Sequence, residues 1–96
     1  MATTQTPAHP AQMDPAVRDR ILARLAERPH EWTRYVDDLA GGDANFGLWL
    51  HIVDRRILRT IGLRHSDLPD QPWRDEYDAG TDPVDYADDV MRAELT

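Results

Sequence analysis

Large apolar side chains recur along this chain at intervals of three and four, the spacing of helices that bury one face. Asp14 followed by Pro15 is a helix start, a capping carboxylate ahead of a proline whose missing N–H costs nothing at the first helical position. Val17, Ile21, Leu22 and Leu25 then form a stripe, and the pattern predicts a helix over about residues 15–28, closed by Pro29. Trp32, Tyr35, Val36 and Leu39 sit at offsets 0, 3, 4 and 7 and predict a second helix over 30–40, stopped by Gly41 and Gly42. Leu48, Trp49, Ile52, Val53, Ile57 and Ile61 give the widest apolar face, on a helix over 45–61 with Asp43 or Asn45 as cap and Gly62 at its C-terminal end. On that helix Asp54, Arg55, Arg56 and Arg59 read as the polar side.

Two short helices follow. The turn from Ser66 to Asp70 leads into one over 71–79, capped by Asp70, carrying Trp73 and Tyr77 and ended by Gly80. Asp82 and Pro83 repeat the cap-plus-proline start, and the last helix, over 83–95, turns Val84, Ala87, Val90, Met91 and Leu95 inward. No segment alternates apolar and polar residues as a strand does. The expected architecture is all-α: a compact bundle of about five short helices, forming one domain over residues 14–96. Residues 1–13, rich in Thr, Pro, Ala and Gln, lack the apolar side chains to offset ordering and are expected to form a flexible tail.

Composition narrows the functions open to such a bundle. The 96 residues contain no cysteine, which removes disulfides, thiolate zinc sites and thiol nucleophiles. All eleven basic residues are arginine, so Schiff-base and P-loop lysine chemistry is absent. The only serine, Ser66, has its histidine neighbour, His65, adjacent in sequence, the wrong geometry for a triad. His9, His30, His51 and His65 show no helical two-histidine spacing, so no metal site and no cofactor is expected; His51 and Asp54, one turn apart, read as a surface hydrogen bond. Loops starting at Asp70 or Asp75 put Pro72, Thr81, Tyr77, Ala79 or Tyr86 where an EF-hand needs oxygen ligands. Trp49 and Trp73 read as core anchors, with Trp32 left more open. The residues therefore point away from an enzyme. The absence of a long apolar run or of a basic-then-apolar start points to a cytoplasmic protein with no membrane partner.

Charge is the strongest asymmetry. Residues 1–65 carry nine Arg and eight acids, whereas residues 66–96 carry two Arg and ten acids, within a chain of net charge −7. Asp75, Glu76, Asp78, Asp82, Asp85, Asp88 and Asp89 form a candidate acidic face for a protein partner, with Asp85, Asp88 and Asp89 on one side of the last helix. The same residues also read as a solvated face that keeps a small protein soluble. A second candidate is Arg55, Arg56, Arg59 and Arg64 around Gly62, a helix-turn-helix-like arrangement for nucleic acid. It is disfavoured because Pro69 interrupts the following helix and Asp67 and Asp70 repel phosphate. A third is the stripe Val17, Ile21, Leu22 and Leu25 as the face of a homodimer.

The stretch from Phe46 to Met91 resembles a family of small, uncharacterised helical proteins encoded by bacterial phages, plasmids and integrative elements. The resemblance rests on Trp49 with Val53 and Asp54, on Ile61-Gly62-Leu63, on the block from Asp67 to Gly80, and on Pro83 opening the last helix. Asp85, Asp88 and Asp89 stand where that family tends to have an alanine-rich helix. The family has no assigned reaction. The resemblance implies a mobile-element setting, in which small acidic proteins often act by binding a host or element-encoded machine and blocking or redirecting it; the acidic face points to a nucleic-acid-handling complex as that partner.

Overall fold

A computed structural model describes residues 8–94, and those residues contain five helices and no strand. Helix α1 spans Pro15–Ala26, with the Asp14 carboxylate accepting from the Ala16 N–H at 2.8 Å. Helix α2 starts at Pro29–Trp32 and continues without a break as a π-helix over Thr33–Leu39. Gly41 and Gly42, both at positive φ, reverse the chain, and the Gly42 N–H donates to the Val36 carbonyl at 2.7 Å. Helix α3 spans Ala44–Ile61, capped by Asp43 on the Phe46 N–H and closed by Gly62 at φ 75°. A 3₁₀ turn, His65–Asp67, leads to α4, Trp73–Asp78, and to α5, Pro83–Glu94. Asp82 caps α5 by accepting from the Val84 and Asp85 N–H groups at 2.9 and 3.1 Å.

α3 is the axis of the molecule. Leu48, Trp49, Leu50, Val53 and Ile57 along it are buried, with α5, the π-helix, α4 and the 3₁₀ turn packed around it. Gly47 permits the tightest of these approaches, because a Cβ there would lie 2.8 Å from the Tyr35 carbonyl oxygen and 2.9 Å from Val36 Cα. Trp49 ties α3 to the α4–α5 connection through an Nε1–H bond to the Thr81 carbonyl at 2.9 Å. Ala87, Val90 and Met91 of α5 are buried as the apolar pattern predicts, and Val84 is half-buried. Leu95 lies outside the described residues.

Four local expectations change. Within residues 8–13, placed in the expected tail, His9 and Pro10 are buried, and the His9 ring stacks on Tyr77 at 4.8 Å. His9 Nε2–H donates to the Tyr77 carbonyl at 2.8 Å, and Gln12 donates to the Gly80 carbonyl at 3.1 Å. The rest of the expected tail, residues 1–7, lies outside the described residues. Second, the chain over 33–39 winds as a π-helix, whose i→i+5 bonds put more residues in each turn, so the 3.6-residue stripe fails at Leu39, which is 41 % exposed. Third, α4 begins at Trp73 after Pro72 with no side-chain cap, so Asp70 does not cap it. Fourth, Asp54 is not on the polar side of α3; it is buried.

Candidate functional site

The seven carboxylates singled out in the sequence all lie on α4, α5 and the turn between them, but they are not equally available. Arg56 of α3 holds Asp88 with both carboxylate oxygens, Nε–Oδ1 at 2.8 Å and Nη2–Oδ2 at 3.1 Å. Arg74 pairs with Asp78 at 3.2 Å within α4 and reaches Asp43 at 3.2 Å, while its guanidinium lies over the Phe46 and Tyr77 rings. Arg92 pairs with Asp89 at 3.0 Å, one turn away on α5. Glu76 accepts from the Thr81 hydroxyl at 2.7 Å, and Asp82 is occupied as the α5 cap. Asp75 and Asp85 are exposed and make no ion pair among the described residues. The candidate acidic face is therefore only partly free, since the chain's own guanidiniums engage three of the seven. Seven carboxylates against three guanidiniums still leave an excess of four negative charges on this face.

The arginine candidates do not gather on one reading element. Arg56 turns toward α5, whereas Arg55 and Arg59 lie one turn apart on another side of α3. Arg64 lies beyond Gly62, and its backbone N–H donates to Asp67 at 3.0 Å. The segment directly after Gly62 forms a three-residue 3₁₀ turn, and the next helix begins only at Trp73, where a DNA-reading arrangement has a continuous second helix. The proposed dimer stripe is graded: Leu25 is buried, Ile21 and Leu22 are half-buried, and Val17 is 36 % exposed.

A polar centre that the pattern of charges did not reveal lies under these surfaces. Asp54, only 3 % exposed, accepts through Oδ1 from the His65 N–H at 2.7 Å and from His65 Nδ1 at 2.6 Å, and through Oδ2 from the Tyr35 hydroxyl at 2.6 Å. One carboxylate thereby joins α3, the π-helix and the 3₁₀ turn. Burial pushes the Asp54 pKa up, but the hydrogen bonds from His65 and Tyr35 outweigh it and hold the carboxyl below the usual carboxylate range. Burial and the adjacent carboxylate raise the Tyr35 hydroxyl far above its ordinary value. His51 does not meet Asp54; its ring stands edge-on to Tyr35, and burial followed by the Arg55 charge lowers its pKa. The signal for Asp54 was present in the spacing, since it shares its stripe with Leu50, Ile57 and Ile61 at offsets of four, three and seven.

An aspartate that orients a histidine is also the positioning half of an acid–base dyad. His65 lines a shallow groove of about 300 Å³ with Phe46, Leu50 and Trp73. The three donors that converge on Asp54 make it a cross-link between elements, and neighbouring Ser66 is exposed rather than drawn into the cluster. Among the described residues no group of three His, Asp or Glu side chains could hold a metal ion, and no helix is long and apolar enough to cross a membrane.

The described residues form a small all-helical module whose α4 and α5 carry a cluster of acidic side chains. No protein-family model, no curated protein and no solved structure matches the chain.

Proposed function

We propose that the chain is a non-enzymatic protein-binding module that engages a basic surface on a nucleic-acid-handling complex through its acidic α4–α5 face, as an inhibitor of the phage or mobile-element kind. One observation carries this reading: among the described residues the seven carboxylates of that face meet three guanidiniums, an excess of four negative charges. The face is built on helices anchored to the core by Trp49, Ala87, Val90 and Met91, so little ordering entropy is lost when a partner docks. Exposed carboxylates of this kind steer encounter with a guanidinium- or ammonium-lined groove and exclude phosphate from it. Val17, Ile21 and Leu22 support self-association through α1 as a second reading, because they leave part of an apolar stripe uncovered.

The test is affinity capture from cell lysate, comparing the wild type with the triple variant Asp75→Asn, Asp85→Asn, Asp89→Asn. A partner that is recovered by the wild type, lost with the triple variant and released by moderate salt is the expected result. Equal recovery by both proteins removes the electrostatic reading. Sedimentation at micromolar concentration tests the second reading, which a purely monomeric chain overturns.

A further inference from the structure

We propose that the groove between α1 and α3 is a second docking site, and that its occupant is an acidic amphipathic helix of a partner protein. α1 packs chiefly on α2, and a groove runs between it and α3. Ile21, Arg24 and Leu25 follow one another on α1 at offsets 0, 3 and 4, Arg28 stands just beyond its end as the residue that opens α2, and Leu48, His51, Ile52 and Arg55 follow on α3 at offsets 0, 3, 4 and 7. The two stripes line one groove of about 440 Å³. Leu25 and Leu48 are buried at its base, and Ile21 and Ile52 are half-buried. Arg24 and Arg28 stand on the α1 side and Arg55 on the α3 side; all three are exposed, and none forms an ion pair among the described residues. Among the described residues that line the groove, Glu27 is the only carboxylate.

This arrangement selects its ligand by two features at once. The apolar base takes aliphatic side chains spaced three and four apart, the anchors of a helix lying in a groove. Guanidiniums on both sides take carboxylates that flank those anchors on both edges, and they repel a basic helix. Nucleic acid satisfies the arginines but not the apolar base. The chain's own first seven residues, MATTQTP, carry no side-chain carboxylate. A second copy offers the acids of α5, but its apolar anchors Ala87, Val90 and Met91 are already buried. The site is separate from the acidic face, which joins α3 through Arg56 on another side of that helix.

The experiment uses the full chain and two fluorescein-labelled peptides of about 15 residues. One has Leu at i, i+3, i+4 and i+7 with Glu at the flanking positions, and the other has Lys in place of every Glu. Anisotropy is expected to show binding of the Glu peptide, weakened at least about tenfold by Arg24→Glu with Arg28→Glu, or by Arg55→Glu, and unchanged by Asp85→Asn. The arginine positions are exposed, so circular dichroism of the variants is expected to match the wild type. Binding of the Lys peptide as tightly as the Glu peptide, insensitivity to the arginine variants, or no binding of either peptide overturns the proposal. Dodecanoate binding in the absence of Glu-peptide binding overturns the helical occupant in favour of a small amphipathic acid.

Discussion

Asp54 receives three hydrogen bonds in a setting where water cannot replace any of them. Removing one partner of such a cluster strands the rest without solvation, which is the costly direction. Asp54→Ala is expected to lower stability by about 3–5 kcal/mol. Tyr35→Phe, which removes a single donor to a carboxylate, is expected to cost about 1.5–3 kcal/mol. Both are read from urea denaturation midpoints, and near-wild-type midpoints for the two would show that the cluster adds nothing. The same residue predicts a pH dependence. Its folded pKa is depressed, so its contribution is present above the unfolded carboxylate value of about 3.9 and is lost as the pH falls below that. His51, also depressed, adds an earlier loss, beginning as the pH falls below about 6.5. Stability should therefore decline in two acid steps, and His51→Gln should remove the upper one.

At the scale of elements, α3 and the π-helix meet through Gly47. On helix propensity alone Gly47→Ala gains about 1 kcal/mol. The added methyl meets backbone at 2.8 and 2.9 Å, and overpacking of this kind costs about 1–3 kcal/mol. The expected outcome is net destabilisation, and a raised melting temperature for Gly47→Ala would refute the close approach. Helix limits were largely legible, because proline, capping aspartates and glycines act locally: Asp14, Asp43, Asp82 and Gly62 each do what their position predicts. Helix type was not legible. The π winding over 33–39 keeps the apolar residues of an α-helix, and packing against Gly47 accompanies the change. Nor was the docking of residues 8–13, since a Pro- and Ala-rich segment declares its partner only when Tyr77 and Gly80 are in place. His9→Ala is expected to cost about 1 kcal/mol, whereas a loose tail predicts no change in the denaturation midpoint.

For the whole molecule the decisive property is how charge is distributed after folding. Arg56, Arg74 and Arg92 face the acidic helices, while Arg24, Arg28 and Arg55 border an apolar groove elsewhere. Arg56→Gln should barely change stability, because its ion pair with Asp88 is open to solvent and screened. It should also free Asp88 and strengthen capture of a basic partner, so weaker capture by Arg56→Gln than by the wild type would count against the acidic face.

Chain order alone determined the helical class, most helix ends, the inward residues of α3 and α5, and the acidic bias of the last third. Those properties come from local periodicity, capping and composition, which act between near neighbours. Only the tertiary structure decided which charges are spent internally, that Asp54 is a buried cross-link, and that α1 and α3 leave a basic-rimmed groove. Each of these depends on residues far apart in sequence, such as Arg56 with Asp88, Tyr35 with His65, and Arg28 with Arg55, and no local pattern encodes their meeting.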